Sequence, residues 1–298
     1  MEKNLVSVII NSYNGEKFVQ KSLNSVLNQS YKNLEVIFWD NASTDNTKDI
    51  INLSNSDKRI KYTYSNKFQK LYAAKNEAVK LASGTYLAFL DVDDWWDKDK
   101  LSKQITLMEK KNYDISCTNY YLFNEKKNIT KKIFKKSFDT RDSFNLALKN
   151  YFVGMSTLII KKDLYDKLCY GFNKSYEVIG DYDLVLRILK NSNILYINEP
   201  LSYYRWHHSN LSNRKFRLNI LELIKWKKNL QKIENFFSSE NLLFLNNHIL
   251  FLKALYLKKN KTNKYIYMLM KNSTLFYTKI KIILILILPK FLLKLIRS

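Results

Sequence analysis

Two short apolar runs joined by one amphipathic helix set the first constraint on this fold. Leu5–Ile10 is rich in β-branched residues and stops at Asn11-Ser12-Tyr13-Asn14-Gly15. Phe18, Val19, Leu23, Val26 and Leu27 then recur at helical spacing. After the polar turn Ser30–Asn33, a second run covers Leu34–Trp39 and stops at Asp40-Asn41-Ala42-Ser43-Thr44-Asp45. A further helix is expected there, because Ser, Thr and Asp are natural N-caps. Strand, helix and strand in this order make a βαβ unit, with parallel strands and a right-handed crossover. The fold class is therefore α/β, a Rossmann-type sheet flanked by helices. No GxGxxG follows the first strand, which argues against an ordinary dinucleotide site.

A third apolar run, Tyr86–Leu90, leads directly into Asp91, Asp93 and Asp94. Gly84 separates it from a helix expected over Leu71–Ala82. Carboxylates this close repel one another, and each loses hydration beside a core. A divalent cation removes both objections, since Mg²⁺ or Mn²⁺ takes hard oxygen ligands and is often held by one or two carboxylates plus substrate phosphates. The segment reads as a metal–diphosphate site at the carboxyl end of a strand, where open α/β sheets bind ligands. The alternative is a solvated acidic turn that caps the next helix. Trp95-Trp96 either lines an acceptor-sugar site or packs beneath the acidic turn.

These segments resemble the inverting glycosyltransferases of family 2, which have the GT-A fold. The matching words are Val6–Asn14, Ser25–Ile37, Asp40–Thr47, Ala73–Ala78 and Ala82–Asp94, then Gly180–Arg187 and Tyr204–His207. The resemblance implies a GT-A-like mixed sheet followed by a C-terminal basic helical extension. It implies that Asn11, Tyr13, Asp40, Lys75, Asp91 and Arg205 bind the donor nucleotide. It implies Asp93 and His207 as metal ligands for Mn²⁺ or Mg²⁺, and Asp181 as the base that deprotonates the acceptor hydroxyl. The implied donor is a nucleotide diphosphate sugar. The implied acceptor is a glycan or lipid-linked glycan of the lipopolysaccharide or capsule type. Asn11 stands where the family commonly has proline, Lys75 where arginine is common, and Gly180 where glutamate usually precedes the catalytic aspartate. The last departure makes Asp183 a competitor for the base, although its place before Leu184-Val185-Leu186-Arg187 suits a first-turn carboxylate favoured by the helix dipole. It also keeps open a catalytically weak nucleotide-sugar-binding protein.

The chain has 298 residues and 46% hydrophobic content, enough to bury a core. Its two cysteines, Cys117 and Cys169, are expected to be reduced in a cytoplasmic compartment. Met1-Glu2-Lys3-Asn4 runs into the first strand without the pattern of a signal peptide.

The net charge of +23 is uneven, since residues 211–298 hold 18 Lys and Arg against 3 Asp and Glu. We divide the chain into a nucleotide-sugar-binding domain, 1–210, and a basic helical region, 211–298. In the latter, Ile220, Leu223, Trp226, Leu230 and Ile233 recur at helical spacing, as do Leu242, Leu245, Ile249, Leu252 and Tyr256. Ile282–Leu288 is apolar all round and is flanked by Lys279, Lys281, Lys290, Lys294 and Arg297, with Pro289 and Phe291–Leu293 beyond it. Seven helical residues span about 10 Å against a hydrocarbon core of about 30 Å, too short to cross a bilayer. The segment suits an anionic membrane surface at the inner face of the cell membrane, with packing on the domain or dimerisation as alternatives. Nucleic acid is not expected as a partner, since the aromatic residues form no RNA-binding word and the cysteines no zinc spacing. A sugar nucleotidyltransferase is disfavoured by the missing glycine-rich phosphate loop.

Overall fold

The computed structural model describes residues 4–53, 57–208, 210–211, 215–260 and 266–287. The chain divides into two compact units, residues 1–208 and 209–298.

The first unit begins β1 (Val6–Ser12), α1 (Glu16–Leu27), β2 (Leu34–Asp40), α2 (Thr47–Leu53), β3 (Ile60–Tyr64), α3 (Leu71–Lys80) and β4 (Tyr86–Asp91). It continues through β5 (Trp95–Trp96), α4 (Lys100–Lys111), β6 (Ile115–Asn124), β7 (Ile129–Lys132), α5 (Ser143–Lys149), β8 (Ile159–Lys161), α6 (Lys162–Asp166), α7 (Gly180–Leu189) and β9 (Leu195–Trp206). The strands form one mixed sheet in the order β3-β2-β1-β4-β8-β6-β9-β5, with β7 on β6. The α/β class read from the sequence is therefore present, with β1 to β4 joined in parallel and β6 and β9 a second parallel pair.

Every residue of β1 is buried, as a parallel strand covered on both faces must be. Val6, Val8, Ile10, Val36, Phe38, Ala88 and Leu90 join Val19, Leu23 and Val26 of α1 and Leu101, Ile105 and Met108 of α4 in one core. Burying each such large aliphatic side chain favours folding by about 1.5–3 kcal/mol. At the opposite end of these strands Glu35 is a buried carboxylate with a full set of partners. Ser7 Oγ donates to it at 2.5 Å, Ser83 N at 2.6 Å, and Lys61 pairs with it at 2.6 Å. Burial alone would raise its pKa, but Lys61, Ser7 and Ser83 hold it below the usual range. Gly84 is required beside this cluster, because a Cβ there would lie 2.7 Å from Leu5 O and Ser7 N.

Register then places the polar ends of the strands side by side. Ser12 pairs with Asp40 across β1 and β2, and Asn11 pairs with Asp91 across β1 and β4. The residues that stop each apolar run thus share one sheet edge.

The second unit holds α8 (Phe216–Leu230), α9 (Ser239–Lys259), α10 (Ile266–Asn272) and α11 (Phe276–Ile287). Ser238 caps α9 through a reciprocal capping box with Asn241. A helix covers each stretch expected to be amphipathic, but only α8 has one apolar face; α9 is apolar on more than one side, with Phe251, Ala254 and Leu255 buried beside Leu245 and Ile249, and Ile233 lies beyond α8 and is exposed. Phe251, Ala254 and Leu255 of α9 pack with Ile266 of α10 and with Ile282 and Ile285 of α11. Asn247 fixes the α10–α11 turn, its Oδ1 accepting from Ser273 Oγ at 2.7 Å and from Thr274 N and Leu275 N at 3.1 Å. The segment that reads as apolar all round is thus divided. One face of α11 is buried through Thr278, Ile282 and Ile285, while Phe276, Tyr277, Ile280, Ile283 and Leu284 are exposed. Leu288, Pro289, Lys290, Phe291–Leu293, Lys294 and Arg297 lie outside the described residues. Among the described residues, no helix is long and apolar enough to cross a membrane.

Candidate active site at the strand ends

The acidic turn after β4 places its three carboxylates in three environments. Asp91 closes the strand, and its Oδ1 lies 2.7 Å from Lys75 Nζ. Lys75 is 1% exposed, so its ammonium needs that carboxylate, since a buried charge without a partner is strongly destabilising. Asp94 turns inward, with Oδ2 accepting from Ser156 Oγ at 2.5 Å and Oδ1 from Arg205 N at 2.9 Å. Burial, then the charges of Asp93 and Asp91, push its pKa up. Asp93 is more exposed, and its Oδ2 lies 3.0 Å from His207 Nε2. The N-cap of α4 is Asp99, so none of the three carboxylates caps the next helix.

Arg205 ties this turn to β9. Its Nε donates to Asp93 O at 2.8 Å, and its Nη1 pairs with Glu125 at 3.1 Å. Its guanidinium lies 5.0 Å from the Phe18 ring and 4.9 Å from the Trp95 ring. The two tryptophans differ in role. Trp96 is buried, and its Nε1 donates to Ser156 O at 2.7 Å, which makes it packing beneath the turn. Trp95 stacks on Tyr203 at 5.0 Å, with Lys21 Nζ 3.4 Å from its ring centre.

The loops after β1 and β2 are laced together. Asn14, at φ 52°, donates its N–H to Ser43 Oγ at 2.9 Å and accepts from Thr44 N at 2.8 Å. Gly15 N donates to Thr47 Oγ1 at 3.0 Å, and Glu16 N to Asp45 Oδ2 at 2.9 Å. Asp40 is buried, with Oδ1 accepting from Ser43 N and Oδ2 from the Tyr62 hydroxyl, both at 2.9 Å. Tyr13 is 51% exposed and meets the 54% exposed Phe68 edge-on at 4.7 Å. Asn11 lies deeper, with Nδ2 3.5 Å from Leu71 O and a buried Oδ1 that has no hydrogen-bond partner among the described residues.

Asp181 stands in the first turn of α7. The Tyr72 hydroxyl lies 3.1 Å from its Oδ1. Loss of water raises the Asp181 pKa to about 6, against the pull of the Tyr182 N–H and the Tyr72 hydroxyl, and Asp91 adds repulsion. Asp183, its competitor in the sequence, is buried and paired with Arg187 Nη2 at 2.9 Å. The same Arg187 donates to Tyr170 O at 3.1 Å and Gly171 O at 2.6 Å. Asp183 thus serves to anchor a loop on the helix.

The sequence-predicted residues fall in three groups: Asp91–Lys75 with Asp93, His207 and Arg205; Asn11, Tyr13 and Asp40; and Asp181. Ser156, Tyr72, Tyr62 and Phe68 were not singled out by sequence reasoning, and none lies in a word that would mark it. Among the described residues, no three His, Cys, Asp or Glu side chains converge on one point as a metal cage. Asp93 and His207 supply one carboxylate and one imidazole side by side. The carboxylate suits Mn²⁺ or Mg²⁺, which take oxygen ligands and keep positions for water and substrate phosphate, and the imidazole is the softer donor of the pair.

Residues 7–169 match the family described as glycosyl transferase family 2. The chain is 36% identical over 219 residues to the Escherichia coli UDP-Glc:alpha-D-GlcNAc-diphosphoundecaprenol beta-1,3-glucosyltransferase WfgD, covering 73% of this chain and 83% of that one. S. aureus TarS 1-349, solved in complex with UDP-GlcNAc, has the same fold, with a TM-score of 0.65 at 17% identity over 93% of this chain and 79% of that one. The chain spans 45% of a longer TarS structure. The mannosyltransferase PcManGT from Pyrobaculum calidifontis, solved with GDP-Man and Mn²⁺, gives a TM-score of 0.61 at 17% identity, covering 83% of this chain and 71% of that one.

Proposed function

The chain belongs to glycosyl transferase family 2, and on that premise we propose an inverting transfer from a nucleotide diphosphate sugar to a hydroxyl of a growing lipid-linked or surface glycan. The observation that carries this reading is Asp181 in a chain that matches the family, a carboxylate in the first turn of α7 held by the Tyr72 hydroxyl at 3.1 Å. An inverting transfer needs a base on the face of the sugar opposite the leaving group. As the acceptor oxygen bonds to the anomeric carbon, its proton passes to the Asp181 carboxylate. The bond from that carbon to the diphosphate breaks, and the nucleoside diphosphate leaves with its electron pair.

The other residues bind and orient. The exposed Tyr13 and Phe68 rings suit a flat base. Asp40, through Ser43 and Tyr62, shapes the turn below it, and Asn11 offers an amide oxygen beneath. Asp91, fixed by Lys75, faces the ribose, and Arg205 holds the turn at the diphosphate. Asp93 and His207 would hold Mn²⁺ or Mg²⁺, and the cation supplies charge neutralisation to the leaving diphosphate. A diphosphoundecaprenol-linked acceptor in the WfgD name and Mn²⁺ in the PcManGT complex support this reading.

The direct test is transfer and thermal shift across a panel of nucleotide sugars with Mn²⁺. One donor is expected to raise the melting temperature and to be turned over, because a ligand at 100 times its Kd adds about 2.7 kcal/mol of stability. A panel in which no nucleotide sugar binds or reacts would overturn the assignment.

The second unit would bring the enzyme to its acceptor at the inner face of the cell membrane. The exposed face of α11 carries Phe276, Tyr277, Ile280, Ile283 and Leu284, and Lys271 is exposed nearby in sequence. Cations near an anionic leaflet each add about 1 kcal/mol of attraction, weakened by salt. Phe276→Glu, Ile283→Glu and Leu284→Glu together are expected to abolish flotation with anionic vesicles while sparing transfer to a soluble acceptor. Truncation is the poorer test, since it would remove the buried Ile282 and Ile285. Equal flotation of wild type and the triple variant would sink the membrane role.

A further inference from the structure

Tyr72 and Gly180 occupy one space between them. A Cβ on Gly180 would lie 2.4 Å from Tyr72 Cδ2, 2.5 Å from Cε2 and 2.6 Å from Cγ. These distances are far inside van der Waals contact, and the ring has little room to yield. It is 4% exposed and lies against Phe172 at 5.4 Å with an interplanar angle of 24°. While Tyr72 is in place, no side chain fits at position 180. The glycine ahead of Asp181 therefore leaves no gap.

The phenol at the end of this ring lies between two acceptors. Its oxygen is 3.1 Å from Asp181 Oδ1 and 3.2 Å from Val178 O. It has one proton to donate, and a charged carboxylate is the stronger acceptor. Burial holds the phenol pKa far above its usual value, so it stays a donor across the working pH range.

We propose that Tyr72 is the positioning residue for Asp181, orienting the carboxylate through its hydroxyl in the space left by the missing side chain at position 180. The inference rests on the reading of Asp181 as base. When Asp181 is ionised, the phenol donates to Oδ1 and fixes the carboxylate plane. When Asp181 has taken the acceptor proton, the phenol can turn to Val178 O. Tyr72 lies three residues before Lys75 on α3, so one helix sets both Asp181 and Asp91. The titratable groups that act on Asp181 are Tyr72 from α3, Asp91 from β4 and Tyr151 from the segment after α5.

Tyr72→Phe keeps the ring, and with it the steric lock on Gly180, while removing the hydroxyl. It is expected to lower kcat about 10-fold, the worth of a hydrogen bond to a charged group, with donor KM unchanged. The acid limb of the kcat–pH profile should also move up by roughly half to one unit, because a bond that favours the charged form has gone. A purely structural tyrosine would leave that limb in place. Gly180→Glu should be nearly inactive from collision with the ring, and Tyr72→Ala with Gly180→Glu should recover part of the loss.

Asp181→Asn separates the two readings. If Asp181→Asn is inactive and Tyr72→Phe keeps the wild-type kcat and pH profile, this inference fails alone. If Asp181→Asn turns over at the wild-type rate, the base assignment itself fails.

Discussion

Asp181→Asn is expected to lower turnover by about 10²–10⁴ while leaving donor affinity unchanged, the usual contribution of general acid–base catalysis. The amide keeps the shape of the carboxylate and its contact with Tyr72, but cannot take a proton. In the wild type the base works only when ionised, and its pKa is raised to about 6. Activity should therefore be flat above that pH and fall below it. The effect on stability has the opposite sign. A carboxylate whose pKa is raised by folding opposes folding as pH climbs from the ordinary carboxylate range to about 6, and the opposition persists at neutral pH. Asp181→Asn removes it, so the variant should melt no lower than wild type at pH 7. Asp183→Asn should behave in the reverse way. It breaks a buried pair with Arg187, a change that destabilises by up to about 3–5 kcal/mol, and should lower the melting temperature with little change in turnover of the folded fraction. An inactive, stable Asp183→Asn beside an active Asp181→Asn would reverse the assignment.

Asp93→Ala is expected to remove metal-dependent donor binding and nearly all transfer. The turn itself should survive, because its folding depends on Asp94, Ser156 and Arg205. On the proposed reading the cation would take one carboxylate and one imidazole from the protein, which leaves no spare ligand. Removing the carboxylate should weaken metal binding by more than the roughly 10–100-fold that follows loss of an outer-shell partner. Titration of Mn²⁺ into the variant with and without the donor nucleotide measures this directly. Transfer at the wild-type rate, insensitive to EDTA, would show that neither Asp93 nor a cation takes part.

The N-terminal half of the sheet was legible because β1, β2 and β4 are covered on both faces and so read as apolar runs. Their polar stops were legible as neighbours because register gathers the strand ends side by side. The other half was harder to see. β5 and β8 have two and three residues, too few to show alternation. The split among Asp91, Asp93 and Asp94 was invisible, since only tertiary packing decides which carboxylate turns toward Ser156. Asp181 and Asp183 are two apart on the same first turn, and what distinguishes them is Arg187 on one side and Tyr72 from a distant helix on the other. Helical spacing marked the buried stripe of α8, but in α9 it picked out Leu245 and Ile249 and missed Phe251, Ala254 and Leu255. It could not divide α11, where both faces are apolar.

The anchoring of Asp94 at both carboxylate oxygens also bears on how fast a donor can be captured. Ordering a residue's backbone opposes binding by about 1–2 kcal/mol when a mobile loop must settle around its ligand. For the turn from Asp91 to Asp94 that entropy is surrendered during folding. Encounter with a donor then requires orientation of the ligand alone, and association should run without a slow loop-closure phase at this turn.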